Sequence, residues 1–107
     1  MKRLHKKCYI AGKIGGLQEA DYTQKFNQAK KEVIALGYTP VSPLDLPHNH
    51  NRTWEDYMKE DLIAMLTCDA VYTLTNWRHS IGATIEVNTA VSVGINIIHQ
   101  KNYQKAA

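Results

Sequence analysis

The sequence DAVYTLTNWRHSIGATIE, residues 69–86, combines an apolar strand, a short polar loop and the start of a helix. Residues 69–75 form the clearest strand in the chain, because β-branched, aromatic and other apolar side chains dominate there. Ser80 is a good N-cap for a helix that runs to about Val93. This arrangement would carry Glu86 to the edge of a sheet where open α/β proteins bind their ligands.

The alternation of strand and helix continues along the rest of the chain. Further strands are predicted at 7–11, 38–41 and 95–98. Pro40 lacks an N–H group and therefore confines its strand to an edge or an end of the sheet. The order β-α-β-α-β-α-β predicts an α/β fold, a three-layer Rossmann-like (flavodoxin-like) parallel sheet of about four strands with helices on both faces.

The first two helices are predicted from apolar periodicity and from their ends. The first carries one apolar face, formed by Tyr22, Phe26, Ala29, Val33 and Leu36. Thr53 is the predicted N-cap of the second, with Asp56 in capping-box position. The second helix buries a stripe formed by Trp54, Met58, Leu62 and Met65. Gly37 and Gly94 are the predicted stops of the first and third helices.

Length and composition predict one domain over residues 1–107, with a disordered lead-in at 1–6 and a frayed tail at 100–107. The hydrophobic content of 44% is ordinary for a globular chain, and the formal net charge is +3. There is no apolar run of membrane-spanning length and no secretion signal, so we expect a cytoplasmic protein without a membrane partner. Cys8 and Cys68 lack CxxC spacing and are predicted to be reduced, buried thiols.

A glycine-bearing turn, YIAGKIGG at 9–16, directly follows the first strand. Backbone N–H groups at glycines can approach a phosphate closely, and a lysine can add positive charge. The turn is neither a dinucleotide-binding fingerprint nor a Walker A loop, so a tight strand-to-helix connection explains it at least as well. The substrate-binding residues predicted here are Gly12, Lys13, Ile14 and Gly15.

Two carboxylates are the predicted catalytic residues. Asp61 lies beside the apolar stripe of the second helix, and partial burial would raise its pKa and suit an acid. A solvated carboxylate beside Glu60 is an equal alternative. Glu86 lies among small and apolar residues, although a solvated helix face is the simpler explanation for an isolated glutamate. Paired carboxylates suit cleavage of a glycosidic bond, because one assists the leaving group and the other stabilises or attacks the anomeric carbon.

Four more residues are predicted to contact a substrate. Ser80 and the first N–H groups of the third helix could hold a phosphate, and Gly82 leaves room for a ligand. A capping serine with small core residues is the structural alternative. Tyr9 and Trp77 could stack on a base, although aromatic side chains at such positions more often simply pack.

Metal ions and nucleic acids are not expected partners. His48 and His50 suggest a metal site, but the sequence places no convincing third ligand near them, and no metal or other cofactor is predicted. The basic N-terminal run could contact nucleic acid. The modest net charge and the absence of interleaved aromatic and basic residues argue against that partner.

Three segments together resemble the nucleoside 2-deoxyribosyltransferase superfamily, and most of all its short uncharacterised bacterial and phage members. They are YIAGKIGG at 9–16, DLIAMLTCDAVYTL at 61–74 and SIGATIEVNTA at 80–90. The resemblance implies a Rossmann-like domain that acts on a nucleoside or nucleotide without a cofactor. It also implies a homodimer or larger homo-oligomer, since relatives build their sites across subunit interfaces.

The resemblance implies roles for individual residues. Glu86 matches the catalytic glutamate of the family, which attacks C1′ of the deoxyribose, and Asp61 matches an aspartate that helps the base to depart. Tyr9 and Gly12 match the pocket-forming motif of the first strand. Ser80 stands where the nucleotide hydrolases of the family carry a serine, which favours a 5′-monophosphate substrate.

The leading hypothesis is therefore cleavage or transfer of the N-glycosidic bond of a (deoxy)nucleoside or its 5′-monophosphate, with Glu86 as the nucleophile. The alternative is a non-catalytic module that binds a nucleotide or a nucleotide-derived signal in the same pocket. The nucleotide hydrolases carry an arginine in the first glycine loop, whereas Lys13 is the nearest cation in this chain. That departure favours the alternative.

Overall fold

The computed structural model describes residues 6–101, which form a four-stranded sheet and three helices. The strands are β1 (Lys7–Ala11), β2 (Thr39–Val41), β3 (Ala70–Thr73) and β4 (Asn96–His99). The helices are α1 (Glu19–Ala35), α2 (Trp54–Leu66) and α3 (Ile81–Ser92). The predicted order of elements is confirmed, with small shifts at their ends. Most of the predicted lead-in (1–6) and tail (100–107) lies outside the described residues. Lys6 and Gln100 are described, and their backbones form hydrogen bonds with Thr39 and Thr73.

The four strands are parallel and lie in the order β2-β1-β3-β4. Pro40 is in β2, an edge strand, as predicted. The chain runs outward in one direction from β1 to β2 and in the other from β3 to β4. The boundary between β1 and β3 is therefore the topological switch point, where the loops that leave the two strands diverge and open a crevice.

The two faces of the sheet carry separate hydrophobic cores, because successive strand residues point in opposite directions. Cys8 and Ile10 of β1 pack on one face against Phe26, Ala29 and Val33 of α1. Tyr9 and Ala11 point to the other face, whose core includes Met65 of α2 together with Ala83, Val87 and Ala90 of α3. This arrangement confirms the predicted three-layer fold, with α1 on one side of the sheet and α2 and α3 on the other.

The helix ends follow the predicted capping rules. The Oγ1 atom of Thr53 accepts a hydrogen bond of 3.2 Å from the backbone N–H of Asp56, and its hydroxyl donates to the Asp56 carboxylate at 3.0 Å. Ser80 Oγ accepts a bond of 3.1 Å from Ala83 N–H at the start of α3. Gly37 and Gly94 follow α1 and α3 with φ angles of 95° and 81°, which favour glycine.

Two apolar side chains differ from the predicted burial. Trp54 is 51% exposed, because the first turn of α2 borders a surface cavity rather than the sheet. Leu36 is 53% exposed because it is the C-cap residue of α1, beyond the last packed turn. Met58 and Met65 are buried as predicted. The periodic pattern therefore located the helices correctly but overstated the burial at their ends.

The sequence also predicted that the chain has no membrane-spanning segment and that its two cysteines are reduced and buried. Within residues 6–101, no helix combines the length and the apolar character needed to cross a bilayer. Cys8 and Cys68 are buried and are not joined by a disulfide. Burial, with a smaller contribution from Cys68, raises the pKa of the Cys8 thiol to about 12, so it is not a reactive thiolate. The cytoplasmic location stays a prediction.

Gly12 lies where β1 meets the glycine turn, and a side chain there would collide with the core. An added Cβ would lie 2.4 Å from Leu74 Cδ1 and 2.7 Å from Leu74 Cγ. We expect Gly12→Ala to lower the free energy of unfolding by about 1–3 kcal/mol, measured by urea denaturation. Gly15→Ala is the matched control, because a Cβ at Gly15 meets nothing within 4 Å. Equal losses in the two variants would contradict this explanation.

Candidate active site

A cavity of about 800 Å³ opens at the carboxyl edge of the sheet, at the switch point between β1 and β3. Its walls are the glycine turn after β1, the start of α3, one side of α2 and the loop between β2 and α2. Eight of the ten predicted site residues line it: Gly12, Lys13, Ile14, Gly15, Asp61, Ser80, Gly82 and Glu86. The structure therefore brings together groups from three separate segments of the chain.

Glu86 lies in the second turn of α3 and is only 5% exposed. The hydroxyl of Tyr9, itself fully buried, donates a hydrogen bond of 2.7 Å to Glu86 Oε2. Burial raises the pKa of Glu86 to about 8; the Tyr9 hydrogen bond opposes this shift, and the charge of Asp61 adds to it. The carboxylate form is therefore reached only at mildly alkaline pH in the unliganded protein.

Asp61 of α2 lines the same cavity, with its side chain 15% exposed. The sequence left open whether this carboxylate is solvated or partly buried, and the structure shows that it is mostly buried. Burial raises its pKa to about 6, and His48 opposes the shift. Asp61 Oδ1 lies 3.2 Å from His48 Nε2, as an ion-pair contact rather than a well-directed hydrogen bond.

Lys13 connects the glycine turn to the loop that precedes α3. Its backbone N–H donates to Asn76 Oδ1 at 3.0 Å, and its ammonium group donates to the carbonyl oxygen of His79 at 2.9 Å. The ammonium group therefore lies next to the residue that precedes Ser80, the N-cap of α3. Positive charge and the first N–H groups of a helix together favour an anion at this end of the cavity.

Gly82 lines the cavity, and its lack of a side chain also matters for packing. An added Cβ would lie 3.1 Å from Met58 Sδ and 3.8 Å from Trp54 Cζ2, both on α2. The missing side chain therefore lets α2 and α3 approach each other beside the cavity. The sequence also allowed a purely structural explanation for this segment, a capping serine with small core residues, and the contact between α2 and α3 at Gly82 agrees with part of it.

The two aromatic residues predicted to stack on a base lie elsewhere. Tyr9 is buried beneath Glu86, and Trp77 is not among the residues that line the cavity. Trp77 stacks on His99 with ring centroids 6.1 Å apart, and the Cζ atom of Arg78 lies 4.8 Å from the Trp77 centroid. A 3₁₀ turn, Trp77–His79, sets this orientation. The aromatic side chains that do line the cavity are Tyr22, Trp54 and Tyr57.

His48, which lines the cavity, forms a polar cluster at the cavity rim with His50 and Glu60. The sequence pointed to the two histidines but not to Glu60 as their carboxylate partner. His48 Nδ1 and His50 Nε2 each contact one oxygen of the Glu60 carboxylate, and the second contact is 2.6 Å long. The hydrogen bonds from His48 and then His50 lower the pKa of Glu60, which keeps it ionised. The position of this loop could have been predicted, because the loop after β2 also leaves the sheet at its carboxyl edge, where the cavity lies.

Solved structures with this fold include two 2-deoxyribosyltransferases. A 2-deoxyribosyltransferase from the psychrotolerant bacterium Bacillus psychrosaccharolyticus matches with a TM-score of 0.66 and 21% identity, over 87% of this chain and 70% of that one. A 2-desoxiribosyltransferase from Leishmania mexicana matches with a TM-score of 0.65 and 18% identity, over 88% of this chain and 63% of that one. This chain therefore has a 2-deoxyribosyltransferase-like fold and spans less than two thirds of the second protein.

The amino-acid sequence was also compared with curated proteins and with protein-family models. No curated protein matches it. One family model, described as a domain of unknown function (DUF4406), matches residues 6–99. Those residues include β1 to β4, α1 to α3 and every residue that lines the cavity. The chain therefore belongs to the DUF4406 family.

Proposed function

We propose that this protein cleaves or transfers the N-glycosidic bond of a (deoxy)nucleoside or its 5′-monophosphate. The observation that carries the proposal is the buried Glu86, which accepts a hydrogen bond from Tyr9 and lines an open cavity together with Asp61. The two acids come from different helices, so the cavity can present one to the sugar and the other to the leaving base. The shared fold supports the same class of reaction.

In the proposed mechanism, Glu86 is the nucleophile and acts as a carboxylate. Its oxygen forms a bond to C1′ of the sugar while the bond from C1′ to the base nitrogen breaks, and the bonding electron pair leaves with the base. Asp61 hydrogen-bonds the departing base, which takes up a proton from Asp61 or from solvent. Water or a second base then attacks C1′ and gives up a proton to Asp61 or to solvent, while the bond from C1′ to the Glu86 oxygen breaks and Glu86 is released as a carboxylate. No redox step occurs.

Tyr9 is a positioning residue in this mechanism. Its hydroxyl occupies Oε2 of Glu86, which leaves Oε1 as the oxygen for attack. The same hydrogen bond stabilises the charged form of the carboxyl group against the cost of burial. We infer that Tyr9 both orients Glu86 and keeps its pKa lower than burial alone would make it.

The proposed 5′-phosphate site lies at the N-terminus of α3, with Lys13 and Ser80 as its side chains. Lys13→Ala is expected to lower kcat/KM for a deoxynucleoside 5′-monophosphate by about 10-fold or more, since a hydrogen bond to a charged group is worth about 1.5–3 kcal/mol. The value for the matching deoxynucleoside should change far less. Lys31→Ala, at an exposed position of α1, is the control. Equal losses on both substrates would place Lys13 outside a phosphate site.

The proposed activity is tested by release of free base from a panel of deoxynucleosides and their 5′-monophosphates. The purified wild-type chain is compared with Glu86→Ala, with and without a second base as acceptor. We expect base release by the wild type and none above background by the variant. Equal release by the two proteins would remove Glu86 from the mechanism.

A non-catalytic nucleotide-binding module is the second candidate. The observation in its favour is the raised pKa of Glu86, because a carboxyl group that is largely protonated at pH 7 is a poor nucleophile and a good hydrogen-bond donor. Calorimetry with a nucleotide, followed by recovery of the ligand, separates the two candidates. Intact ligand after prolonged incubation supports the module, and free base in the recovered mixture supports the enzyme.

We also propose that the chain forms one domain and self-associates. Ile81 and Trp54 line the cavity yet are 77% and 51% exposed, so the mouth of the cavity presents apolar surface. A second copy that covers these side chains would narrow the mouth and exclude water. Light scattering of the purified chain checks the proposal, and a strictly monomeric mass at micromolar concentration would refute it.

A further inference from the structure

The cluster of His48, His50 and Glu60 at the rim of the cavity has the composition of a metal site. It offers one nitrogen from each imidazole and one carboxylate oxygen. These ligand atoms all lie within 4.8 Å of one another. The nitrogens that face the Glu60 carboxylate are His48 Nδ1 and His50 Nε2. Two histidines and a glutamate form a ligand set that catalytic zinc sites use, with one position left for water.

The geometry requires only a small adjustment to close around an ion. Ligand atoms of a tetrahedral zinc ion lie about 3.3 Å apart, because each is about 2.0–2.1 Å from the metal. His50 Nε2 and Glu60 Oε2 are 2.6 Å apart and would separate slightly, while the widest pair would close by about 1.5 Å. All three residues are partly exposed, so an ion can enter from solvent.

Neighbouring groups already hold both imidazole rings in place. The ring of Tyr57 lies against both, with its centroid 5.0 Å from that of His48 and 4.8 Å from that of His50. The Tyr57 hydroxyl donates a hydrogen bond of 2.7 Å to the backbone carbonyl of His50. The two ligands from the loop are therefore oriented by a residue of α2, the helix that also carries Glu60.

Asp61 supplies the outer partner that metal-binding histidines commonly have. If His48 coordinates through Nδ1, its Nε2 carries the proton and faces Asp61 Oδ1, which is 3.2 Å away. A carboxylate at this distance favours the tautomer that carries its proton on Nε2 and increases the basicity of the ligand. Its negative charge also offsets the single positive charge that remains when a divalent ion binds one glutamate and two neutral histidines.

We propose that His48, His50 and Glu60 bind one divalent transition-metal ion of the zinc class, which holds the loop between β2 and α2 against α2. The site does not depend on the proposed glycosidase activity, since it is defined by its own ligands. Through the contact between His48 and Asp61, it reaches the wall of the cavity. Imidazole ligands favour zinc over magnesium, which prefers oxygen ligands.

The test is zinc binding to tag-free protein stripped with a chelator, measured by titration calorimetry without substrate. We expect one equivalent per chain with a Kd on the order of 1 μM or tighter, and a higher thermal unfolding temperature with Zn²⁺ but not with Mg²⁺. His50→Ala and Glu60→Gln should each weaken binding at least about 10-fold. Absence of saturable binding at 100-fold that concentration would overturn the proposal.

Two matched variants separate the proposed ligands from their surroundings. Asn49→Ala changes the exposed residue between the two histidines, and Glu55→Gln changes an exposed acid in the first turn of α2. Both should bind zinc as the wild type does. Glu60→Gln keeps the size of the side chain, so circular dichroism should show a folded protein. Wild-type affinity in Glu60→Gln, or a comparable loss in Asn49→Ala, would contradict the assigned ligands.

Discussion

Glu86→Gln is expected to abolish turnover, with a fall in kcat/KM of about 10³-fold or more, while the protein becomes more stable at alkaline pH. The activity falls because an amide oxygen cannot form the proposed bond to C1′, and loss of a nucleophile costs at least this much in enzymes that use one. The gain in stability comes from the same burial that makes Glu86 an unusual acid.

The direction of the stability change follows from proton linkage. The pKa of Glu86 rises from 4.5 to about 8 on folding, so the folded state holds the proton more tightly. The stabilisation that protonated Glu86 gives the folded state is complete below about pH 4.5 and is lost as the pH rises through about 8. Each pKa unit is worth about 1.4 kcal/mol, so the free energy of unfolding of the wild type should fall by on the order of 4 kcal/mol between pH 5 and pH 9, a loss that Glu86→Gln avoids.

The measurement is urea denaturation of both proteins at pH 5 and pH 9, alongside base release. The two proteins should have similar free energies of unfolding at pH 5, and the variant should be the more stable at pH 9. Glu55→Gln, at an exposed position, is the control and should show neither effect. A variant that is inactive but no more stable at pH 9 would mean that Glu86 is not buried as an acid.

Tyr9→Phe is expected to reduce kcat/KM at pH 7 by about 10- to 100-fold and to shift the pH profile upward. In the wild type, kcat/KM should rise with pH and level off above about 8, because the proposed nucleophile is the Glu86 carboxylate. The hydrogen bond from Tyr9 favours that carboxylate. A bond to a charged group is worth about 1.5–3 kcal/mol, so its loss should move the profile by about one to two pH units.

Tyr72→Phe is a matched control on the opposite face of the sheet. Tyr72 is also buried, and its hydroxyl donates a hydrogen bond of 2.6 Å to Glu32 Oε1. That variant should lose stability without moving the pH profile. Besides Tyr9, the titratable group that acts on Glu86 is Asp61, whose charge raises the pKa further. A profile that falls with rising pH would identify Glu86 as an acid and would contradict the nucleophile role.

The architecture could be predicted from the sequence because its signals are local. Apolar steps of three and four residues identify helices, and apolar runs between turn residues identify strands. Thr53 and Ser80 cap their helices as expected, since an N-cap depends on only the next three residues. The switch-point rule then placed the loops after β1 and β3 beside one another, where the structure has its cavity.

The details of the candidate site could not be predicted from the sequence, because they depend on contacts between residues that are far apart in the chain. Tyr9 and Glu86 are 77 residues apart, and only the packing of α3 on β1 brings them within 2.7 Å. Trp77 was predicted to contact a substrate and Trp54 to be buried, but it is Trp54 that lines the cavity. The orientation of Trp77 is set by a 3₁₀ turn, and that of Trp54 by its position at the start of α2. Glu60 meets His48 and His50 because the loop after β2 folds back along α2. Burial and charge at these points arise from contacts across layers, and such contacts exist only once the sheet and helices have packed.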